Sequence, residues 1–285
     1  MTSGNDCILT LSCADRVGIV HAVAANLHAQ GANILDSAQF GDPDTSRFFM
    51  RVHFAPQAAT PLAVLKEAFA PVAAEFAMDW QMHLPAERPR VLLMVSKFDH
   101  CLHDLLYRHR SGELKCEITS VVSNHRDTYQ LAASYGVPFH HIPVTTDTKA
   151  RAEAKLLELV AEENVELVVL ARYMQVLSAA LCTSLSGRAI NIHHSFLPSF
   201  KGARPYHQAH ARGVKLIGAT AHYVTSDLDE GPIIEQEAAR VDHKFTAEEM
   251  VEAGRDVERL VLARAVRLHI ERRVLMNGHK TVVFR

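Results

Sequence analysis

The sequence predicts an α/β protein with two domains, a small ferredoxin-like sheet followed by a larger, mostly parallel, doubly wound sheet. Three observations predict this fold class. The chain has 285 residues, which is long for one domain and comfortable for two. Residues 1–84 follow the order βαββαβ, a split βαβ unit. From residue 91 onward, apolar runs of strand length alternate with helical segments, which is typical of a parallel sheet flanked by helices.

The N-terminal elements follow from apolar periodicity and turn residues. Cys7–Ser12 has the length of a strand, and Ile19–Gln30 carries a helical apolar stripe that ends at Gly31. Pro71 is expected to kink or end the second helix, because proline removes a main-chain donor. This second helix is predicted at Pro61–Phe76. Before it, a polar turn joins two predicted strands, Ala32–Phe40 and Phe48–Phe54, and after it a final strand is predicted at Met78–Leu84.

Residues 85–90 form the predicted linker, since they hold two prolines and three charges without an apolar pattern. The second domain is predicted to span residues 91–285. Its strands are expected at Val91–Val95, Ile118–Val122, Val137–Ile142, Val165–Leu170 and Ala189–Ile192, and its helices include Leu102–Arg108, Thr128–Tyr135 and Thr148–Glu163. Two further strands, expected to be antiparallel, follow at Ile217–Val224 and Ile233–Arg240. A long amphipathic helix is predicted at Ala247–Ile270 and a last strand at Thr281–Phe284.

Composition and charge exclude several classes of protein. The 48% hydrophobic content and the mean hydropathy of −0.01 are those of an ordinary soluble globular chain. A net charge of −2 and a pI of about 6.8 provide no basic field for nucleic acid. No apolar run approaches the ~20 residues that span a bilayer, and no signal-peptide pattern opens the chain, so no membrane partner is expected. The five cysteines form no Cys-x-x-Cys pair, which predicts reduced thiols and a cytoplasmic protein.

Three polar residues have the chemistry of a small active site. Asn191 and His193 alternate with apolar residues, so at strand period their side chains point to one face. They lie near the carboxyl end of a strand, where open α/β sheets place their ligand crevice. Asp229 follows on the turn-rich segment 226–232. An amide, an imidazole and a carboxylate can together donate to an oxyanion, move a proton and fix a tautomer.

Each of these residues also has an ordinary structural interpretation. Asn191 could cap a strand end, His193 could be a buried histidine with satisfied hydrogen bonds, and Asp229 could form an Asx turn. Asp227 could fill that turn role instead, which leaves Asp229 available. Taken singly, the structural interpretations are favoured. The combination of an Asn-x-His motif with an aspartate 38 positions beyond Asn191 favours catalysis.

Histidines elsewhere do not predict a metal site. His207 and His210 lack a carboxylate or cysteine partner at a convincing spacing, and His194 does not complete a ligand set. We therefore expect no metal. His222 is a plausible partner of the three polar residues and no more.

Four motifs carry a family resemblance: Asn191-Ile192-His193, Leu197-Pro198, His222-x-Val224 and Leu228-Asp229-x-Gly231-Pro232-Ile233-Ile234. With their spacing, they resemble the folate-dependent formyltransferase family. The resemblance implies that Asn191, His193 and Asp229 are catalytic and that folate is the substrate, with no cofactor. It also implies a folate pocket with two walls. The segment after the strand that ends at Leu170 forms one wall, and residues 225–230 form the other. The implied substrate-binding residues are Met174, Val176, Leu177, Ser195, Leu197, Thr225 and Leu228. Without the resemblance, core packing is the more common role for residues such as Met174 and Leu177.

The loop Ser96–Cys101 separates the branches of this family. It contains no glycine, whereas a loop that holds a phosphate uses glycines so that backbone N–H groups can approach the anion. Its pattern, Ser-Lys-x-x-His-Cys-Leu-x-Asp-Leu-Leu, resembles the branch that hydrolyses 10-formyltetrahydrofolate to tetrahydrofolate and formate, which supplies formate for purine synthesis. Water is then the acceptor.

The alternatives are a formyltransferase with an amine acceptor and a folate- or amino-acid-binding regulator with a vestigial site. Phe98 and Tyr206 are candidates for narrowing the acceptor side, although packing explains each as well.

The N-terminal domain resembles a second family. Asp15-Arg16-Val17-Gly18-Ile19-Val20 and Gly31-Ala32-Asn33-Ile34, in a βαββαβ order, resemble the ACT domain, a small amino-acid-sensing module. The resemblance implies a homo-oligomer with glycine or methionine as effectors, bound near Asp15, Gly18 and Asn33. A purely structural role in assembly is an equal alternative, because fold alone does not establish function.

Overall fold

A computed structural model describes residues 6–57, 60–196 and 205–285. The chain forms two compact units. The first runs to Arg88 and includes Glu271–Asn277 and Val282–Arg285, and the second contains Pro89–Ile270 and Gly278–Thr281. Within the three described ranges, no helix is both long and apolar enough to cross a membrane.

The first unit has the expected βαββαβ order. Its antiparallel sheet has the strand order β2-β3-β1-β4, so that β1 lies between β3 and β4. The helices bury Val23, Leu27, Leu65 and Phe69 in one core with the apolar residues of the strands. The elements are β1 (Cys7–Ala14), α1 (Ile19–Ala29), β2 (Ala32–Asp42), β3 (Arg47–Pro56), α2 (Leu62–Glu75) and β4 (Asp79–His83).

Pro71 was expected to kink or end the helix predicted at Pro61–Phe76, and of these two expectations the end is wrong. Helix α2 continues through Pro71 to Glu75. Pro71 is exposed, so the carbonyl that loses its main-chain donor can be reached by water. On the opposite face Leu65, Phe69 and Ala73 are buried, and packing of this face stabilises the helix on both sides of the proline.

The C-terminal residues differ from the predicted division, which assigned everything after residue 90 to the second domain. Residues 271–277 and 282–285 belong to the first unit, because they complete its core and its hydrogen bonds. Phe49 is fully buried in a cluster with Val282 and Phe284. The Arg51 guanidinium donates to the carbonyls of Glu271 and Arg272, each at 3.2 Å. In place of the single last strand that was expected, two short strands pair here, β12 (Val274–Asn277) and β13 (Lys280–Val283).

The second unit is a three-layer α/β structure around a seven-stranded sheet of order β11-β10-β9-β8-β5-β6-β7. Strands β9, β8, β5, β6 and β7 are parallel, and β10 and β11 are antiparallel, as expected from the sequence. The strands are β5 (Arg90–Val95), β6 (Glu117–Ser123), β7 (Phe139–His141), β8 (Leu167–Leu170), β9 (Ala189–His193), β10 (Leu216–Tyr223) and β11 (Ile233–Arg240). The helices are α3 (His100–Arg110), α4 (Tyr129–Ser134), α5 (Lys149–Glu162), α6 (Ala179–Ser184), α7 (Pro205–Arg212) and α8 (Ala247–Ile270).

The strand order of this sheet positions a ligand crevice. From β5 the chain adds β6 and β7 on one side, and then returns to add β8 and β9 on the other side. Such a reversal opens a crevice at the carboxyl ends of the strands on either side of it. Asn191 and His193, at the end of β9, lie at this edge of the sheet.

Candidate active site

A cavity of about 240 Å³ lies at the carboxyl ends of β8 and β9. Three chain segments form its walls: the loop after β8, the end of β9 with His194, and the loop after β10. The described lining residues are Leu170, Arg172–Leu177, Cys182, Asn191–His194, His222 and Val224–Asp229.

The structure brings together the three polar residues that the sequence singles out. Asn191 and His193 lie two residues apart on β9, so both side chains face the cavity. The Nδ1 atom of His193 lies 3.2 Å from Oδ1 of Asp229, and both side chains are largely buried. His222 lies opposite Asn191 on β10, with its Nε2 atom 3.3 Å from Asn191 Nδ2 and 3.7 Å from Asp229 Oδ1. These four side chains form one connected polar group.

The hydrogen bonds of His222 fix the orientation of Asn191. The Nδ1 atom of His222 lies 2.9 Å from the carbonyl oxygen of Tyr223, which can only accept, so Nδ1–H is the donor. In the neutral ring Nε2 is then an acceptor, and it receives one N–H of the Asn191 amide. The second N–H of that amide remains available for an oxygen atom of a ligand.

His193 presents a nitrogen to the cavity. Its Nδ1 atom faces Asp229, and its Nε2 atom is buried without a hydrogen-bond partner in the part of the chain that the structure describes. A buried ring nitrogen without a partner is uncommon, because it loses its hydrogen bond to water. A ligand in this cavity can restore that bond.

The Asp229 carboxylate is ionised at neutral pH. Burial raises the pKa of Asp229, but the neighbouring rings of His193, at 3.2 Å, and His222, at 3.7 Å, outweigh it and hold this pKa well below the usual carboxyl range. The backbone of Asp229 is left-handed, with φ of 58°. The turn closes tightly at Gly231, where an added Cβ would lie 1.7 Å from the carbonyl oxygen of Tyr223. The glycine therefore permits the close approach that carries Asp229 back to His193.

Five of the seven predicted substrate-binding residues line this cavity. Exposure decides between core packing and ligand contact for the apolar ones. Met174 is 52% exposed, Val176 58% and Leu228 60%, so these side chains are not core residues. Leu177 and Thr225 line the cavity too, and Leu177 also packs against the core of the second unit.

The other two predicted substrate contacts are placed differently. Ser195 is buried and is not among the described lining residues, and its carbonyl accepts a hydrogen bond from Thr220. Leu197 lies outside the described residues.

The residues proposed as effector contacts lie in the first unit. Asp15 is exposed in the turn after β1, with its carboxylate against Gly41. Gly18 begins α1 with φ of 99°, and Asn33 is exposed on β2. All three are accessible to solvent, and none lines the cavity of the second unit.

A second polar cluster next to the cavity was missed by sequence reasoning. Its centre is the Glu258 carboxylate, which is 1% exposed. His100 Nε2–H and the Tyr206 hydroxyl donate to it, each at 2.8 Å, and Arg172 Nε lies 3.4 Å away. Tyr206 is thus held by Glu258, and neither it nor Phe98 is among the described lining residues. No sequence signal joins Arg172 to Glu258, which are 86 positions apart.

Part of this cluster has ligand types that bind metals. Ligand atoms of His100, Cys101 and Glu258 lie within 4.8 Å of one another. The positive charge of Arg172 beside Glu258 would repel a metal ion bound at the same place. Burial, together with the charge of Glu258, also raises the pKa of the Cys101 thiol well above its usual value, whereas metals bind thiolates. The donor set therefore suits an arginine–carboxylate pair better than a metal ion.

Comparisons with known proteins agree on one family. Residues 89–266 match the model of the family described as formyl transferase. A formyltetrahydrofolate deformylase of Corynebacterium sp. (strain P-1) is 54% identical over 98% of this chain and 98% of its own length. One of Bacillus subtilis (strain 168) is 49% identical over 97% of this chain and 93% of its own. The crystal structure of a formyltetrahydrofolate deformylase from Burkholderia mallei ATCC 23344 superposes with a TM-score of 0.95 at 54% identity, covering 99% of this chain and 100% of that one.

Proposed function

The chain belongs to the formyl transferase family, among the formyltetrahydrofolate deformylases, and from this premise we propose that its cavity holds 10-formyltetrahydrofolate for hydrolysis to tetrahydrofolate and formate. The formate serves purine synthesis, and the reaction returns tetrahydrofolate to the one-carbon pool. The observation that carries the assignment of the catalytic residues is the His193–Asp229 pair, with the second ring nitrogen of His193 facing the cavity without a partner among the described residues.

Asn191 and His193 stabilise the oxyanion that forms at the formyl group. Water attacks the formyl carbon and converts the carbonyl into a tetrahedral oxyanion. The free N–H of Asn191 and the Nε2–H of protonated His193 donate to that oxygen atom. Asp229 stabilises the charged imidazole, because its carboxylate lies 3.2 Å from Nδ1. Donors positioned in this way before the reaction act without the cost of reorganising solvent.

Proton transfer completes the hydrolysis. Asp229 accepts a proton from the attacking water, directly or through a second water molecule. The bond between the formyl carbon and N10 then breaks as N10 takes up a proton, and the products are tetrahydrofolate and formate. The folate is the substrate, and the proposed reaction uses no cofactor or metal.

The apolar rim of the cavity suits the pterin ring. Met174 and Val176 follow β8, and Leu228 lies on the facing loop after β10. All three expose more than half of their side-chain surface, which a flat ring can cover.

The first prediction is that water is the acceptor. The purified protein, incubated with 10-formyltetrahydrofolate alone, is expected to release formate and tetrahydrofolate over many turnovers. The physical reason is the loop between β5 and α3: it has no glycine, its Lys97 and Asp99 are exposed and of opposite charge, and it offers no cradle for a phosphate. The amounts of formate and tetrahydrofolate are measured in the same samples over the time course.

The matched reaction contains glycinamide ribonucleotide as a competing acceptor. We expect 10-formyltetrahydrofolate to be consumed at the same rate with and without this amine. If formate forms only at a trace rate and the amine raises consumption by orders of magnitude, the chain is a formyltransferase.

We also propose that the first unit is an ACT domain that assembles the protein as a homo-oligomer. Its βαββαβ order and strand order support this proposal. So do exposed apolar residues: Ile34, Leu35 and Phe40 on edge strand β2 are exposed by 38%, 48% and 45%, and Val17 in the turn between β1 and α1 is fully exposed. A second copy would cover such a surface. The five cysteines are buried and form no disulfide, which is consistent with a site of action in the cytoplasm.

The second prediction concerns effectors of this unit. Glycine or methionine is expected to shift both the turnover rate and the Tm of the full chain, because ligands of the native state stabilise it. Asn33→Ala, an exposed substitution on β2, is expected to weaken the response. Lysine serves as the control amino acid. If neither glycine nor methionine changes turnover or Tm, the unit serves assembly alone.

A further inference from the structure

Arg172 presents unused hydrogen-bond donors beside the catalytic group. Its side chain lines the cavity and is only 10% exposed. Its Nη1 atom is buried and has no hydrogen-bond partner among the described residues, and the same holds for Nε. A buried guanidinium without hydrogen bonds costs several kcal/mol unless a ligand or another group pairs with it.

Glu258 balances the charge of Arg172 without using its donors. Arg172 Nε lies 3.4 Å from a carboxylate oxygen of Glu258, but outside hydrogen-bond geometry. The two oxygens of Glu258 already accept from His100 and Tyr206 at 2.8 Å. The cluster therefore holds a cation in place and leaves its Nε and Nη1 donors without a hydrogen bond among the described residues.

The backbone of Arg172 is held in a left-handed conformation, with φ of 66°. Its carbonyl accepts from the main-chain N–H of Ser96 at 3.1 Å, and the Ser96 hydroxyl accepts from Met174 N–H at 2.9 Å. Among the described lining residues, the non-glycine residues with positive φ are Arg172 and Asp229. Left-handed backbone in a residue with a side chain is costly and concentrates at functional sites.

Arg172 lines the same cavity as Asn191, His193 and Asp229. The ring of His194 stacks on that of His193, with 5.2 Å between their centroids. Burial, followed by the charge of Arg172, lowers the pKa of His194 to about 4, so His194 is neutral at pH 7. Arg172 is a permanent cation in the lining of the cavity that His193 faces.

We propose that Arg172 forms a subsite for a small monocarboxylate, the formate that leaves after hydrolysis. This inference rests on the proposed function. The formyl group of the substrate is neutral and formate is an anion, so a free guanidinium distinguishes product from substrate. Arginine N–H groups form short, charged hydrogen bonds to carboxylate oxygens. The subsite therefore meets a carboxylate only after the bond between the formyl carbon and N10 has broken.

Direct binding of sodium formate to the full-length protein tests this subsite. Line broadening of ¹³C-formate gives the affinity, with sodium chloride at equal ionic strength as the reference. Arg172→Gln is expected to weaken formate binding by about ten- to a hundredfold, the usual effect of losing charged hydrogen bonds. Arg255→Gln is the matched control. The guanidinium carbons of Arg172 and Arg255 lie 5.8 Å and 5.6 Å from the centroid of the Phe98 ring, but Arg255 does not line the cavity, and unchanged affinity is expected.

A second variant keeps the test decisive if Arg172→Gln does not fold. Arg172→Gln with Glu258→Gln removes both charges of the pair, and the same loss of formate affinity is expected. The subsite is refuted if either folded variant binds formate as the unmodified protein does, or if formate acts no differently from chloride.

Product inhibition separates this inference from the proposed function. Hydrolysis of 10-formyltetrahydrofolate with formate inhibition that is insensitive to Arg172→Gln would leave the function standing and remove the subsite. Formate binding that depends on Arg172, in a protein without hydrolase activity, would remove the proposed function and retain an anion site.

Discussion

Replacement of Asp229 by asparagine is expected to lower kcat for hydrolysis by at least about 100-fold while folate binding persists. The Asp229 carboxylate is ionised and lies 3.2 Å from His193 Nδ1. An amide of the same shape can neither stabilise the imidazolium nor accept a proton from water. Asparagine tolerates left-handed backbone, so the φ of 58° at this position should be kept and the fold preserved.

Steady-state kinetics and folate binding to the folded Asp229→Asn protein check this prediction. Glu230→Gln is the control, because Glu230 is the next residue, is exposed and loses the same charge. Near-normal turnover of Asp229→Asn would contradict the acid–base role assigned to this residue.

Asn191→Ala is expected to lower kcat by about 100- to 1000-fold with a smaller change in KM, which is the usual cost of losing an oxyanion donor. One N–H of the Asn191 amide points to His222 Nε2 at 3.3 Å, and the other is available to the substrate. The second N–H acts on charge that develops in the transition state, so its loss affects turnover more than binding.

A second substitution at this position tests donor chemistry rather than size. Asn191→Asp keeps the shape of the side chain but replaces the donor by an anion that repels the oxyanion. It is expected to be at least as impaired as Asn191→Ala. If Asn191→Asp retained most of the turnover, the amide N–H would not be the oxyanion donor.

The sequence predicts features that depend on local pattern. Alternation of Asn191 and His193 with isoleucines predicted one shared face, because the side-chain period of a strand is two residues. Alternating strands and helices predicted the parallel sheet, and the antiparallel placement of β10 and β11 is also confirmed. The helix Ala247–Ile270 has the predicted bounds, since its apolar stripe is long and regular.

The remaining features depend on contacts between distant parts of the chain. Arg172 and Glu258 meet only in the folded sheet, so neither residue type nor spacing indicates the pair. The continuation of α2 through Pro71 depends on packing of the opposite helix face, which outweighs the local preference of proline. The left-handed backbone of Asp229 depends on the close approach of Gly231 to Tyr223, which no local pattern reveals.

The contribution of the C-terminal residues to the first unit has a consequence for synthesis on the ribosome. The elements from β1 to β4 emerge first, but Phe49 and Arg51 find their partners only when residues 271–285 have been made. At about 5–20 residues per second, translation of the intervening residues 89–270 takes on the order of ten to forty seconds. During that interval a large aromatic ring and a guanidinium of the nascent chain lack their native cover. We expect chaperones that bind nascent chains at the ribosome to bind near Phe49. A nascent chain stalled before residue 271 is expected to be cleaved by protease near Phe49 more readily than the released protein.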